Sequence, residues 1–180
     1  LCAECTVATA HPLCDEQFLR FWWQQYQSDF WNTTEMMDAV QFIPHEKPMV
    51  FVDHLIEANE HFAIAELVIR PELMFCEAEG LPTWTSIELM AQTISAYAGH
   101  KGKVSGLPPK IGFLLGTRKM QLPVPYFALC ESVRIKAEQS YLHEGLGQFN
   151  CEIEYREHRI CAMLSVFEPT EIKENIRNLA

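Results

Sequence analysis

The stretch from Pro82 to Gly99, PTWTSIELMAQTISAYAG, is almost wholly apolar and carries a single charge, Glu88. An amphipathic helix on a protein surface shows a broad polar face to water. Here Ile87, Met90, Ala91, Ile94 and Ala98 fill one face at i, i+3, i+4 spacing, and Leu89, Ala96 and Tyr97 occupy much of the rest. Only Glu88, Gln92 and Ser95 form a thin polar line. A helix apolar nearly all round is a buried helix, so the fold has to enclose it. Glu88 is then expected deep in the protein or at an interface, where a carboxylate without a partner is costly. That makes it a candidate general acid or base. A second reading stands beside this one, because Thr85-x-x-Glu88 also fits a capping box, in which Glu88 reaches back to free backbone N–H groups. If Thr83 is the cap instead, the capping reading fails.

The remainder of the chain is patterned for strands. Residues 49–57 and 61–70 alternate around a turn at Ala58-Asn59-Glu60. A loop from Pro71 to Pro82 leads into the helix, for which Gly99 is the expected C-terminal cap. Gly102, Gly106, Pro108 and Pro109 mark another loop. Strands are expected over 110–120, 130–141, 147–156 and 159–168, the last two joined by a tight turn near Glu157-His158. One long buried helix followed by an antiparallel meander able to wrap it is an α+β arrangement.

Residues 1–36 read differently. Phe18, Trp22, Tyr26 and Phe30 recur every four residues, the spacing of a short amphipathic helix, before the break Asn32-Thr33-Thr34. The segment is either an accessory helix or sequence upstream of the natural start at Met36-Met37. The main domain is therefore expected over 37–172, with a C-terminal tail at 173–180.

Composition narrows the function classes. The 180 residues contain no run approaching the ~20 apolar residues of a membrane span. Asp15 and Glu16 stand where a secretory signal would have its apolar segment, so a cytoplasmic location is expected. Seven cysteines in apolar or strand-like contexts suit reduced core thiols in that compartment. Cys2, Cys5, His11 and Cys14 are zinc-ligating types, but the C-x-x-C has no second copy, and neither metal nor cofactor is expected. A net charge of −10 disfavours nucleic acid and anionic membranes. From Leu89 to Cys130, however, there is no Asp or Glu, while Lys101, Lys103, Lys110, Arg118 and Lys119 all fall there. Such a local basic face suits an anionic ligand or an acidic partner protein; a chance gap around buried elements is the alternative.

His45, in Ile43-Pro44-His45-Glu46-Lys47-Pro48-Met49, is bracketed by prolines that restrict the backbone on both sides. Imidazole suits proton transfer near neutral pH, and a turn histidine that merely ties down its loop is the competing account. The other histidines along the domain fall in turns or at exposed strand positions and read as structural.

PHEKPMVFVDH followed by G-x-P and IELMAQ resembles the FabZ/FabA-like hotdog-fold 3-hydroxyacyl-carrier-protein dehydratases. More narrowly, PHEKPM, GLPTW-x-x-IELMAQ and IGFLLGTRK resemble the ApeP-like dehydratases of aryl polyene lipid biosynthesis, over about residues 42–170. The resemblance implies a hotdog fold, an antiparallel sheet wrapped around one central helix and paired as a dimer with active sites at the interface. It implies dehydration of carrier-bound 3-hydroxyacyl thioesters to trans-2-enoyl thioesters, with acyl carrier protein and a second hotdog subunit, identical or homologous, as partners. Glu88 matches the family's helix glutamate. The usual G-H-F-P-G loop histidine does not match, for its place reads Leu73-Met74-Phe75-Cys76. Either His45 takes that role from another loop, or this subunit is a non-catalytic partner that completes a heterodimer. A hotdog thioesterase is a further alternative. Gly112, Phe113, Leu114, Leu115 and Gly116 resemble the strand lining the acyl tunnel, with an ordinary central strand as the plainer account. Gln92, one turn beyond Glu88, is a candidate for the substrate site or for orienting that carboxylate.

Overall fold

The computed structural model describes residues 36–107 and 111–169. The chain divides into two units, Leu1–Glu35 and Met36–Ala180, and the described residues belong to the second. The aromatic run, the Cys2/Cys5/His11/Cys14 cluster, Lys110 and the C-terminal tail lie outside the described residues.

In chain order the elements are β1 (Met37–Asp38), β2 (His54–Ala58), β3 (Phe62–Val68), β4 (Leu81–Pro82), α1 (Ser86–Val104), β5 (Phe113–Arg118), β6 (Tyr126–Phe127), β7 (Ser132–His143), β8 (Leu146–Tyr155) and β9 (His158–Phe167). Seven strands form one antiparallel sheet in the order β1-β2-β3-β7-β8-β9-β5, and β4 pairs with β6 in a separate two-stranded ladder. The turns follow from local chemistry. Asn59 Oδ1 accepts from the backbone N–H groups of His61 and Phe62, closing the β2–β3 hairpin. Glu144 and Gly145 both have positive φ, as a tight β7–β8 hairpin turn requires.

Small residues line the face that receives the helix. Register places Ala63 opposite Ala137, Ala137 opposite Cys151 and Cys151 opposite Ala162, so one row of small side chains crosses four strands. The next row, Ala65, Ile135, Ile153 and Ile160, is fully buried. The short row lets α1 lie close, and the branched row fills the space beside it. From the helix Leu89, Met90, Ile94, Ala96 and Tyr97 complete this core. This is the helix-in-sheet arrangement that the resemblance implies.

Three sequence expectations change. The helix does not end at Gly99 but continues to Val104, with Gly106 at φ 72 beyond its end. Gly99 serves packing instead: a Cβ there would lie 1.8 Å from the carbonyl oxygen of Phe42, so only glycine lets the 39–43 segment cross the helix. The expected strand over 49–57 pairs only from His54. Earlier N–H groups turn to other partners, Phe51 to Gln92 and Asp53 to the carbonyl of Glu66. Cys76, Cys151 and Cys161 are free thiols, whereas Cys130 is disulfide-bonded, against the expectation of reduced cysteines throughout. Among the described residues no helix is long and apolar enough to cross a membrane.

Candidate active site

The first turn of α1 carries Glu88. The capping reading of this residue is not what the side chains do. Thr85 makes no side-chain cap bond and donates its hydroxyl to the carbonyl of Pro82 at 2.6 Å. Glu88 turns along the helix and accepts from Gln92 Nε2 at 2.8 Å. Because it stands at the end of a buried helix, its side chain keeps 30% exposure instead of lying deep in the core.

His45 reaches the same place from the segment before β2. A turn closed by Met49 N–H donating to the Glu46 carbonyl follows it, with a cis Lys47–Pro48 peptide. His45 Nε2 lies 3.7 Å from Glu88 Oε1, and both side chains are 30% exposed. The pair is longer than a hydrogen bond but within reach of tightening around a bound molecule. His45 Nδ1 is buried without a hydrogen-bond partner, so Nε2 is the nitrogen that meets both carboxylate and solvent. An imidazole and a carboxylate side by side, each open to solvent on one side, can receive and return a proton on the same small molecule.

Gln92 stands behind this pair. It is fully buried and hydrogen-bonded on both sides of its amide, so it faces Glu88 and the backbone rather than a substrate. An aromatic wall missed by sequence reasoning adjoins it. The buried Phe51 ring stacks at 6.3 Å on Phe75, which in turn lies 5.1 Å from Trp84. Phe75 adopts φ 68, a backbone conformation that disfavours aromatic residues, and it remains exposed together with Trp84. The conjunction of Pro82-Thr83-Trp84 with the helix start was its one visible signal; the Phe75 conformation had none.

The remaining candidates lie elsewhere. Gly112 to Gly116 run into and along β5, the edge strand, with Phe113, Leu114 and Leu115 exposed. A Cβ at Gly116 would meet nothing within 4 Å, so no neighbour in this chain requires glycine there. Lys101 and Lys103 lie in the last turn of α1, over the rings of Tyr97 and Phe42 at 5.0 and 4.9 Å. Arg118 closes β5 and Lys119 follows it, at the opposite end of the strand from the loop after the helix. Among the described residues no group of His, Cys, Asp or Glu is arranged to hold a metal ion.

Comparison with known proteins bears on the fold and the family. The chain is similar to the dehydratase heterocomplex ApeI:P from Xenorhabdus doucetiae, with 24% identity over 79% of this chain and 97% of that one, at TM-score 0.70. It is also similar to an HP0420 homologue from Helicobacter felis, with 11% identity, 72% and 97% coverage and TM-score 0.53. A hypothetical thioesterase with coenzyme A from Streptococcus pneumoniae TIGR4 shares 13% identity, with 73% and 91% coverage and TM-score 0.50. At these identities the shared property is the fold, a hotdog. No curated protein matches the sequence. A family model described as ApeP-like, ApeP dehydratase, matches residues 37–177. With most of its length matched, this chain belongs to the ApeP-like dehydratase family.

Proposed function

We propose that this subunit dehydrates carrier-protein-bound 3-hydroxyacyl thioesters to trans-2-enoyl thioesters, with His45 and Glu88 as the reacting pair. The observation that carries the reading is the 3.7 Å approach of His45 Nε2 to Glu88 Oε1 at a half-open site. The α-proton of a thioester is weakly acidic, so elimination needs a positioned base and a proton donor for the departing oxygen. His45 takes the proton from C2, the electron pair forms the C2–C3 double bond, and the C3–O bond breaks. The oxygen leaves as water with a proton held by the pair. The loop histidine of the wider dehydratase group is absent here, and His45 supplies imidazole from the segment before β2. Lys101, Lys103, Arg118 and Lys119 are the cations proposed to meet an acidic acyl carrier protein. A second hotdog subunit is the proposed partner, which the likeness to the heterocomplex ApeI:P supports, and the exposed edge strand β5 is the edge proposed to meet it. Gly112 to Gly116 would line the acyl path between the two subunits.

The test is turnover of a 3-hydroxyacyl carrier protein by this subunit purified alone. A positioned acid or base contributes roughly 10²–10⁴-fold, so His45→Ala and Glu88→Gln are each expected to reduce dehydration by that much with the fold intact. Release of free thiol instead of enoyl product would make the protein a thioesterase. No turnover alone, restored by a homologous subunit, would make it the non-catalytic half of a heterodimer.

A further inference from the structure

Two large apolar rings beside the reacting pair are left uncovered. Phe75 stacks on the buried Phe51 ring and Trp84 leans on Phe75, yet Phe75 is 43% exposed and Trp84 52% exposed. Local bonding holds them outward. Thr83 and Thr85, on either side of Trp84, are buried and donate their hydroxyls to the carbonyls of Val124 and Pro82, so the indole turns to solvent between them. Phe75 keeps φ 68, a conformation that persists where neighbours enforce it. Buried Leu73 accepts from Cys76 N–H at 3.0 Å, and Glu77 is bridged to Gly80 and accepts from Tyr126 Oη at 3.0 Å. Both rings are joined to the pair. Trp84 precedes Glu88 by four residues, and Phe51 N–H is held by Gln92, which also holds Glu88.

Charge narrows what can cover these rings. Their loop carries Glu72, Glu77 and Glu79, all exposed, and no Lys or Arg occurs from Pro71 to Gly99. Such a rim repels an acidic carrier protein. It does not repel a neutral apolar chain, and a 3-hydroxyacyl substrate brings one to the pair, attached at the carbon that loses its hydroxyl. We propose that Phe75 and Trp84 are specificity-determining residues, an apolar wall that takes the acyl chain beyond C3 and favours long chains over short. This rests on the reading of the site as one for 3-hydroxyacyl thioesters. The wall comes from the loop before β4 and the turn before α1, and it is separate from the Gly112–Gly116 segment at the sheet edge. Each methylene laid against it adds severalfold in affinity, so discrimination grows with chain length.

The experiment uses the full chain with pantetheine thioesters of 3-hydroxybutyrate and 3-hydroxyoctanoate, measuring turnover and calorimetric Kd for each. Phe75→Asn removes the ring with a side chain that tolerates the left-handed backbone. Trp84→Ala removes the second ring, and Phe75→Tyr is the conservative control. Wild type should prefer the eight-carbon substrate. Phe75→Asn and Trp84→Ala should each lose about tenfold in kcat/KM and Kd on it, and less than about twofold on the four-carbon one. Phe75→Tyr should keep the wild-type preference. Equal losses on both substrates, or no loss on either, would overturn the proposal. If Phe75→Asn does not fold, Trp84→Ala decides alone. Selectivity unchanged while sedimentation shows a lost oligomer would assign the rings to a subunit contact, and the wall would fall. Wild-type protein that forms no enoyl product would defeat the functional reading instead. The wall would then be judged by Kd, where the eight-carbon preference must exist in wild type and vanish in Trp84→Ala, and its persistence there would overturn it.

Discussion

Replacing Gly99 by alanine tests how the site-bearing segment is seated on the helix. The added Cβ would stand 1.8 Å from the Phe42 carbonyl oxygen, 2.7 Å from its carbon and 3.0 Å from its Cα. Comfortable carbon–oxygen contact requires roughly 1.5 Å more, and the obstacle is backbone, which cannot rotate aside as a side chain can. Overpacking of this kind costs about 1–3 kcal/mol, and a fixed backbone obstacle belongs at the upper end. Alanine recovers about 1 kcal/mol of helix propensity over glycine. The net expectation is about 2 kcal/mol of destabilisation, seen as a fall of roughly 5–10 °C in Tm for a domain of this size. Gly116→Ala is the internal control, because an added Cβ there meets nothing within 4 Å, and its Tm should scarcely move. The assay is thermal unfolding followed by circular dichroism. His45 lies three residues beyond Phe42, so dehydration should suffer in Gly99→Ala as well. If Gly99→Ala melts at or above the wild-type temperature, the propensity gain has won and the 39–43 segment does not cross the helix as described.

Two further outcomes bear on side chains away from the site. Burial pushes the Cys151 thiol up to about 12, whereas Cys161 is exposed. At pH 8 iodoacetamide should therefore modify Cys161 in the native protein and spare Cys151, as read by peptide mass mapping, and rapid native labelling of Cys151 would contradict its burial. Arg156 forms an ion pair with Glu131 through a bidentate contact that holds this carboxyl below its usual range. A carboxyl lowered in the folded state stabilises above its unfolded pKa, and that contribution fades as acid protonates it. Because the pair is largely exposed, Arg156→Ala should cost at most about 1 kcal/mol near neutral pH. The difference from wild type should disappear in acid urea titrations, and a constant difference across pH would mean that Arg156 acts by packing.

The helix and the meander were legible because each is written in a period. Apolar residues all round Ile87–Ala98 mark an enclosed helix, and alternation in 130–141 and 147–156 marks strands buried on one face. Their boundaries were less legible where a local signal competes with a distant contact. Gly99 has the composition of a helix terminus, yet it lies inside the helix because Phe42, far off in sequence, needs the space of its missing side chain. Residues 49–53 have strand composition, but some of their N–H groups are claimed by Gln92 and Glu66 rather than by a neighbouring strand in full.

At the candidate site, chemistry was visible and geometry was not. Glu88 stood out as the only charge on an apolar helix, and His45 by its proline bracket and family motif. Thr85-x-x-Glu88 looked equally like a cap, and composition has no means of showing that Thr85 donates to Pro82 while Glu88 turns to Gln92. Gln92 read as one polar residue in a thin line, since its importance lies in four partners contributed by two separate segments. The sequence by itself determined which elements are enclosed and which residues carry acid–base groups, because burial periodicity and side-chain chemistry are local properties. Tertiary structure alone decided that His45 and Glu88 meet, because their separation depends on where the 39–52 segment crosses α1. That crossing is set by one missing Cβ at Gly99 and one buried amide at Gln92.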